Sequence, residues 1–254
     1  MDILTTREGG ILTIELNRPQ KKNAITAEMY GALTEALIEG REAPAIRAVM
    51  IVGKREVFTA GNDLQDFMDH PPAGDDSPVF RFLSEISHAP KPLVAAVCGP
   101  AVGVGTTLLL HCDLVFAGDN ARFSLPFAQL GLVPEAASSL LLPQLFGYQR
   151  AAERLLLGEP FGADEALQMG LVSAVLPADT VVEHARLQAH KLVALPAAAV
   201  RATKRLMKHG RIEAIEARMR LESEEFRLRL QSPEAREAFK AFFERRRPDF
   251  SRFD

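Results

Sequence analysis

Two glycine-bearing turns are the segments of this 254-residue sequence best suited to chemistry. Phe58-Thr59-Ala60-Gly61-Asn62-Asp63-Leu64 follows the apolar run 47–52, and Gly99-Pro100-Ala101-Val102-Gly103-Val104-Gly105 follows the run 92–97. A turn that runs into a helix leaves backbone N–H groups unpaired at the helix start. Two such groups aimed at one point can hold a carbonyl oxygen that becomes negative during a reaction. Turns at the carboxyl ends of neighbouring parallel strands face one crevice, where ligands bind in open α/β sheets. On spacing alone, the same glycines need do no more than permit tight connections.

Other catalytic signatures fail. Gly103-Val104-Gly105 begins a GxGxxG pattern that Leu108 breaks, and there is no GxxxxGK[ST], HExxH or GxSxG. The histidines at 70, 88, 111, 184, 190 and 209 lack metal-ligand spacing, and adjacent His111-Cys112 cannot easily share a tetrahedral ion. No metal site is expected. Cys98 lies in an apolar run and reads as a small core residue. Two cysteines exclude a disulfide framework and fit a reducing compartment.

The turns need elements to position them. Ile3–Glu8 and Ile11–Leu16 flank Gly9-Gly10, which predicts a hairpin. Thr26 can cap a helix carrying Met29, Leu33 and Leu37, with Ile25 and Tyr30 as a hydrophobic staple. Buried strands are expected at Arg47–Val52 and Pro92–Val97, and shorter ones at Leu114–Ala117 and Arg122–Leu125. The stretch 54–91, with Pro71-Pro72 and Asp75-Asp76, reads as a mobile loop with a helix near Val79–Ile86. Strands alternating with helices to about residue 175 predict α/β architecture. From Asp179 onward the pattern is helical, broken at Pro196, Gly210 and Ser232-Pro233. Residues 1–200 form the expected core and 201–254 an appended helical region, too short for a core of its own.

Composition narrows the class. Hydrophobic residues at 47% and charged residues at 25% describe a globular chain. A net charge of −3 argues against nucleic-acid binding, which needs a basic surface to displace counterions. Residues 201–254 nevertheless hold 15 Lys/Arg and 10 Asp/Glu, a local +5 that leaves −8 for the rest. Such a tail suits an anionic ligand or a second subunit, or a solvated helix face laced with i,i+4 pairs. The apolar stretch Leu93–Leu110 reaches membrane-spanning length. Its glycines and Pro100 instead suggest a buried strand, a turn and a buried helix. No targeting segment is visible, and a cytoplasmic protein is expected.

FTAGNDL, CGPAVGVGTTLLLHCDLVFA and SLPFAQLGLVPEAASSLLLPQLFG together resemble the crotonase superfamily, the enoyl-CoA hydratase/isomerase family. LNRPQKKNAIT and GEPFGADEALQMGLVSAVLP match its pattern as well, so the resemblance spans nearly the whole chain. It implies a spiral of ββα units with a helical C-terminal trimerisation region, and homotrimers or dimers of trimers. It implies a coenzyme A thioester substrate, with no cofactor beyond that coenzyme A, and no nucleic-acid or membrane partner. Matched by motif, the oxyanion donors are the backbone amides of Asn62 and Val104. The glutamates that family hydratases use fall at Thr107 and Phe127, neither of which can act as a base at neutral pH. Glu135 sits where peroxisomal-type Δ3,Δ2-enoyl-CoA isomerases place their single catalytic glutamate. The implied activity is thus the shift of a 3-enoyl-CoA double bond to the 2-position, as fatty-acid β-oxidation requires. A hydratase using other acids, or an acyl-CoA-binding protein without turnover, is the alternative.

Glu135 also has a structural reading. Pro134 suits the first position of a helix, and a glutamate in the first turn complements the helix dipole. That dipole would lower its pKa, whereas Leu132, Val133 and Ala136 would raise it by desolvation. By resemblance, the backbone around Ala24, Ala60, Asp63 and Leu64 lies along the adenine and pantetheine, although Asp63 can equally cap the next helix. Lys240 and Arg245 are candidate partners for the coenzyme A phosphates. Phe239, Phe242 and Phe243 either cover an acyl pocket or belong to the core or interface face of an amphipathic helix.

Overall fold

A computed structural model describes residues 1–72, 74 and 76–253. The expected Asp75-Asp76 loop position therefore lies partly outside the described residues. The hairpin forms as β1 (Ile3–Glu8) and β2 (Ile11–Leu16), antiparallel, with Ile3 opposite Leu16. Strands β3 (Ala48–Val52), β4 (Leu93–Val97), β6 (Leu114–Gly118) and β9 (Ala174–Leu176) add in parallel. The six-stranded order is β1-β2-β3-β4-β6-β9. A second sheet, β5-β7-β8, is built from Pro100–Val102, Arg122–Ser124 and Phe161–Gly162.

The two central strands are buried at every residue, as parallel strands covered on both faces must be. Successive side chains point to opposite faces. Val49, Ile51, Leu93, Ala95 and Val97 belong to the main core with α1 (Ala27–Glu42) and α3 (Pro78–His88). Met50, Val52, Val94, Ala96 and Cys98 join a second core under α8 (Val181–Ala194). Cys98 is thus the core residue expected, and its thiol is pushed up to about 11, chiefly by burial.

Two expectations for the connections are corrected. The supposed loop 54–91 contains a second helix, α2 (Leu64–Asp69), because Asp63 accepts hydrogen bonds from the amides of Gln65 and Asp66 and stops the chain from staying extended. The apolar stretch 93–110 holds not one strand but two, with β5 set between Gly99 and α4 (Val104–Thr107). Among the described residues no helix is long and apolar enough to cross a membrane. After β7 follow α5 (Ser138–Phe146), α6 (Tyr148–Leu157) and α7 (Ala163–Gln168). The C-terminal helices are α9 (Ala197–Lys208), α10 (Ile212–Leu230) and α11 (Pro233–Phe243), separated at the breaks expected from Pro196, Gly210 and Ser232-Pro233. Phe226 of α10 and Phe239 of α11 are buried in the main core, so these helices cover the site end of the sheet.

Candidate active site

The two glycine turns are held side by side. Thr59 and Ala101 form a parallel bridge, with the Thr59 amide donating to the Pro100 carbonyl and the Val102 amide to the Thr59 carbonyl, both at 3.0 Å. Asn62 and Val104 each lie three residues beyond that bridge and so occupy equivalent places in the two turns. The Asn62 amide takes no part in the hydrogen bonds of its turn, while those of Ile25 and Asp63 are used. Val104 opens α4, where the amide has no intrahelical partner. Both residues line one cavity of about 520 Å³. Close approach is what demands glycine here: at Gly61, with φ +88°, a Cβ would stand 2.9 Å from the Val102 carbonyl oxygen.

Glu135 lines the same cavity and is 4% exposed. It does not lie in a helix first turn: α5 starts at Ser138, after Ala136 and Ala137 at φ +60° and +57°. The dipole argument therefore does not apply. The Oε1 atom is buried without a hydrogen-bond partner. Burial, reinforced by the nearby Glu222 carboxylate, raises the Glu135 pKa to about 8. An unsolvated carboxyl with a raised pKa in a cavity is what a base for a carbon acid requires.

Neither of the two positions at which the resemblance would put hydratase glutamates carries an acid. Phe127 lines the cavity, 5% exposed. Thr107 is fully buried and does not line it; its hydroxyl turns back to the Val104 carbonyl at 3.5 Å. Ala24, Ala60, Asp63 and Leu64 all line the cavity. The Asp63 side chain is engaged in capping α2 and in a 2.7 Å ion pair with Arg18, which together hold its carboxyl below the usual range against the opposing effect of burial. Phe242 and Phe243 are exposed at the cavity, edge to face, whereas Phe239 is buried in the core.

Lys240 and Arg245 do not line this cavity; Lys240 points to Glu244 at 3.9 Å. Instead Lys21 and Lys22 do. Their signal lay in LNRPQKKNAIT, where Pro19 starts a short 3-10 turn and Lys22 is left-handed at φ +51°. Tyr30 and Glu222 were also missed. Buried Tyr30 donates its hydroxyl to the Asn62 side-chain oxygen. Nothing in the periodicity of α1 distinguishes that tyrosine from a core aromatic. Among the described residues no cluster of His, Cys, Asp or Glu is arranged to hold a metal.

A parallel-strand core whose two glycine turns and one desolvated carboxyl line a common cavity defines the class as an α/β protein with a candidate acid/base site at the carboxyl ends of its strands. The chain belongs to the enoyl-CoA hydratase/isomerase family, whose profile matches residues 6–252, and it has the crotonase fold. It is 35% identical to human enoyl-CoA delta isomerase 2 over 222 residues, 85% of this chain and 56% of the human protein. The chain thus spans a little over half the length of that relative. It is 33% identical to 1,2-epoxyphenylacetyl-CoA isomerase of Escherichia coli K12, over 98% of each chain. It is also 33% identical to 2,3-dehydroadipyl-CoA hydratase of the same strain, again over 98% of each. The solved structure of Pseudomonas aeruginosa OdaA superposes with a TM-score of 0.93 at 50% identity, over 95% of this chain and 98% of that one.

Proposed function

We propose that the protein is a Δ3,Δ2-enoyl-CoA isomerase with Glu135 as its single acid/base. The carbonyl oxygen of a 3-enoyl thioester sits between the Asn62 and Val104 amides. Glu135 takes the proton from C2, the electron pair delocalises as a dienolate with its charge on that oxygen, and the same carboxyl returns the proton at C4. One general base contributes about 10²–10⁴-fold and one oxyanion donor about 10²–10³-fold, so this set suffices for a proton shift within one face of the substrate. The observation that carries the reading is the Glu135 carboxyl itself, buried, without a partner at Oε1 and in one cavity with both amides, while Phe127 and Thr107 stand where a hydratase would need acids.

Lys21 and Lys22 suit the coenzyme A phosphates at the mouth, and the apolar walls at Phe127, Leu130 and Phe242 suit the acyl and pantetheine groups. No cofactor beyond the coenzyme A of the substrate is needed. A homotrimer, or a dimer of trimers, would cover the exposed Leu156, Leu206 and Leu228. A second reading, hydration of a 2-enoyl-CoA, is favoured by the likeness to the Escherichia coli hydratase and to other relatives named as enoyl-CoA hydratases. The test is Glu135→Gln, assayed by the rise of conjugated enoyl-thioester absorbance from a 3-enoyl-CoA and, separately, by ¹⁸O incorporation at C3 of a 2-enoyl-CoA. Loss of conjugation by at least 10²-fold with thioester binding retained is expected. Full activity of the variant, or ¹⁸O uptake faster than conjugation in the unaltered protein, would sink the isomerase assignment.

A further inference from the structure

Two consecutive left-handed residues, Ala136 and Ala137, follow Glu135. Left-handed backbone costs a residue with a Cβ roughly 1–2 kcal/mol, so this turn exists because something outside it holds it. His111, in the 3-10 turn after α4, donates from Nε2 to the Ala136 carbonyl at 2.9 Å. The other hand of the clamp is Glu222, midway along α10 and 7% exposed. Its carboxylate accepts from the Ala137 amide at 2.6 Å, the Ser139 amide at 2.9 Å and the Ser139 hydroxyl at 2.5 Å. Glu222 thereby caps the start of α5 from a distant helix, where Ala137 supplies no capping side chain.

We propose that Glu222 is a positioning residue: by gripping the backbone of Ala137 and Ser139 it fixes the turn that presents Glu135 to the cavity, and it does so as a charged carboxylate rather than as a neutral acceptor. The inference rests on Glu135 being the acid/base. Three donors satisfy Glu222, whereas Glu135 has a buried oxygen with none. When the two share one negative charge, it belongs on Glu222, and the proton on Glu135. A second carboxylate beside the base thus tightens the hold of Glu135 on a proton, so that its ionised form is a stronger base toward C2.

The other ionisable groups around this pair are few. Tyr30 on α1 is buried and held well above the ordinary phenol range by burial first and the Glu135 charge second. His111 is kept down to about 4 by burial and is neutral. Burial raises the Glu222 carboxyl above its ordinary value, while the donors at Ser139 and Ala137 and the Arg218 charge on α10, whose guanidinium reaches the Ser139 hydroxyl at 3.2 Å, act the other way and favour its charged form. His88 of α3 is paired with Glu216 at 2.7 Å, and these with Arg220 line a second cavity of about 350 Å³ that Glu135 and Glu222 line as well. Lys21, Lys22 and Asp63 lie on the other side, in the main cavity.

The experiment is a ¹³C NMR titration of carboxyl-labelled glutamate in the intact protein, with the Glu135 signal identified by its loss in Glu135→Gln. In Glu222→Gln the Glu135 midpoint should fall by a pH unit or more. In Glu222→Asp, which keeps the charge but cannot reach both amides, the midpoint should stay raised while kcat falls at least tenfold with KM within twofold. The circular dichroism spectrum checks each fold, and the Asp variant carries the test alone should the Gln variant not fold. An unmoved midpoint in a folded Glu222→Gln, or an unchanged kcat in Glu222→Asp, overturns the proposal. Should Glu135→Gln keep full activity, the isomerase reading fails, yet the titration still decides whether Glu222 governs the proton on Glu135.

Discussion

The hydroxyl of Tyr30 donates to the side-chain oxygen of Asn62, so α1 fixes the residue whose backbone amide forms half of the proposed oxyanion site. Tyr30 is buried in the main core against Phe82, with ring centroids 5.5 Å apart. The bond therefore transmits the rigidity of the core to a turn that has a free amide. Tyr30→Phe keeps the ring and deletes the tether. It should lower kcat three- to tenfold, leave KM within twofold, and cost about 1 kcal/mol or more in urea unfolding, since the Asn62 oxygen loses its donor. A variant with wild-type kcat would show that the Asn62 amide is aimed by its own turn.

Glu135 should leave a signature in the pH dependence of both rate and stability. Its pKa is raised to about 8 from an ordinary 4.5. In the proposed reaction only the carboxylate accepts the C2 proton, so kcat/KM should climb with pH and level off above 8. For stability, the native state holds the proton between pH 4.5 and 8 while the unfolded chain releases it. The contribution of this group is fully present below pH 4.5 and is lost as pH rises through 8. Glu135→Gln should therefore unfold at a higher temperature than the wild type at pH 9 and at nearly the same temperature at pH 4.5. Equal melting temperatures at pH 9 would show that the carboxyl is solvated there.

His111 should act in the opposite sense and at lower pH. Burial holds it at about 4, against an ordinary 6.5, while its hydrogen bond to the Ala136 carbonyl and nearby cations act as smaller influences. The stability it contributes is present above pH 6.5 and is lost as pH falls through 4. A tenfold change in proton affinity is worth about 1.4 kcal/mol, so the loss across this window is about 3 kcal/mol. His111→Gln can still donate to Ala136 but does not titrate. Urea unfolding between pH 7 and 4 should show a shallower decline for this variant, and parallel curves would dismiss His111 as the cause.

Much of this was legible because it rests on local rules. The Gly9-Gly10 hairpin, the Thr26 cap and the helix breaks at Pro196 and Gly210 each follow from a few adjacent residues. The glycine turns could be read as paired because both follow fully buried strands. Glu135 was legible as an acid in an ordered motif, but its surroundings were not. Pro134 suggested a helix start, and the actual start at Ser138 depends on Glu222, 87 residues further along the chain from Glu135. Asp63 was one residue with two readings until Arg18 and the α2 amides took up its oxygens. Lys240 and Arg245 looked suitable only by charge, and neither Lys240 on α11 nor Arg245 just beyond it lines the cavity.

Gly105 gives the sharpest test of the paired turns. A Cβ there would overlap the Thr59 methyl group. Thr59 cannot rotate away freely, because its hydroxyl donates to the Asn23 carbonyl at 2.6 Å and accepts from the Gly61 amide at 3.0 Å. Gly105→Ala must therefore displace Thr59, and with it the Gly61-Asn62 turn, relative to Val104. Overpacking of this kind costs about 1–3 kcal/mol. Misdirecting one amide should lower kcat by about 10²-fold. Thr59→Ser removes the methyl but keeps the hydroxyl, so the double variant Thr59→Ser/Gly105→Ala should recover most of both losses. Urea unfolding and the conjugation assay would measure the recovery. Non-recovery of kcat in a double variant of restored stability would mean that Gly105 is needed for space around the thioester rather than for the register of the two turns.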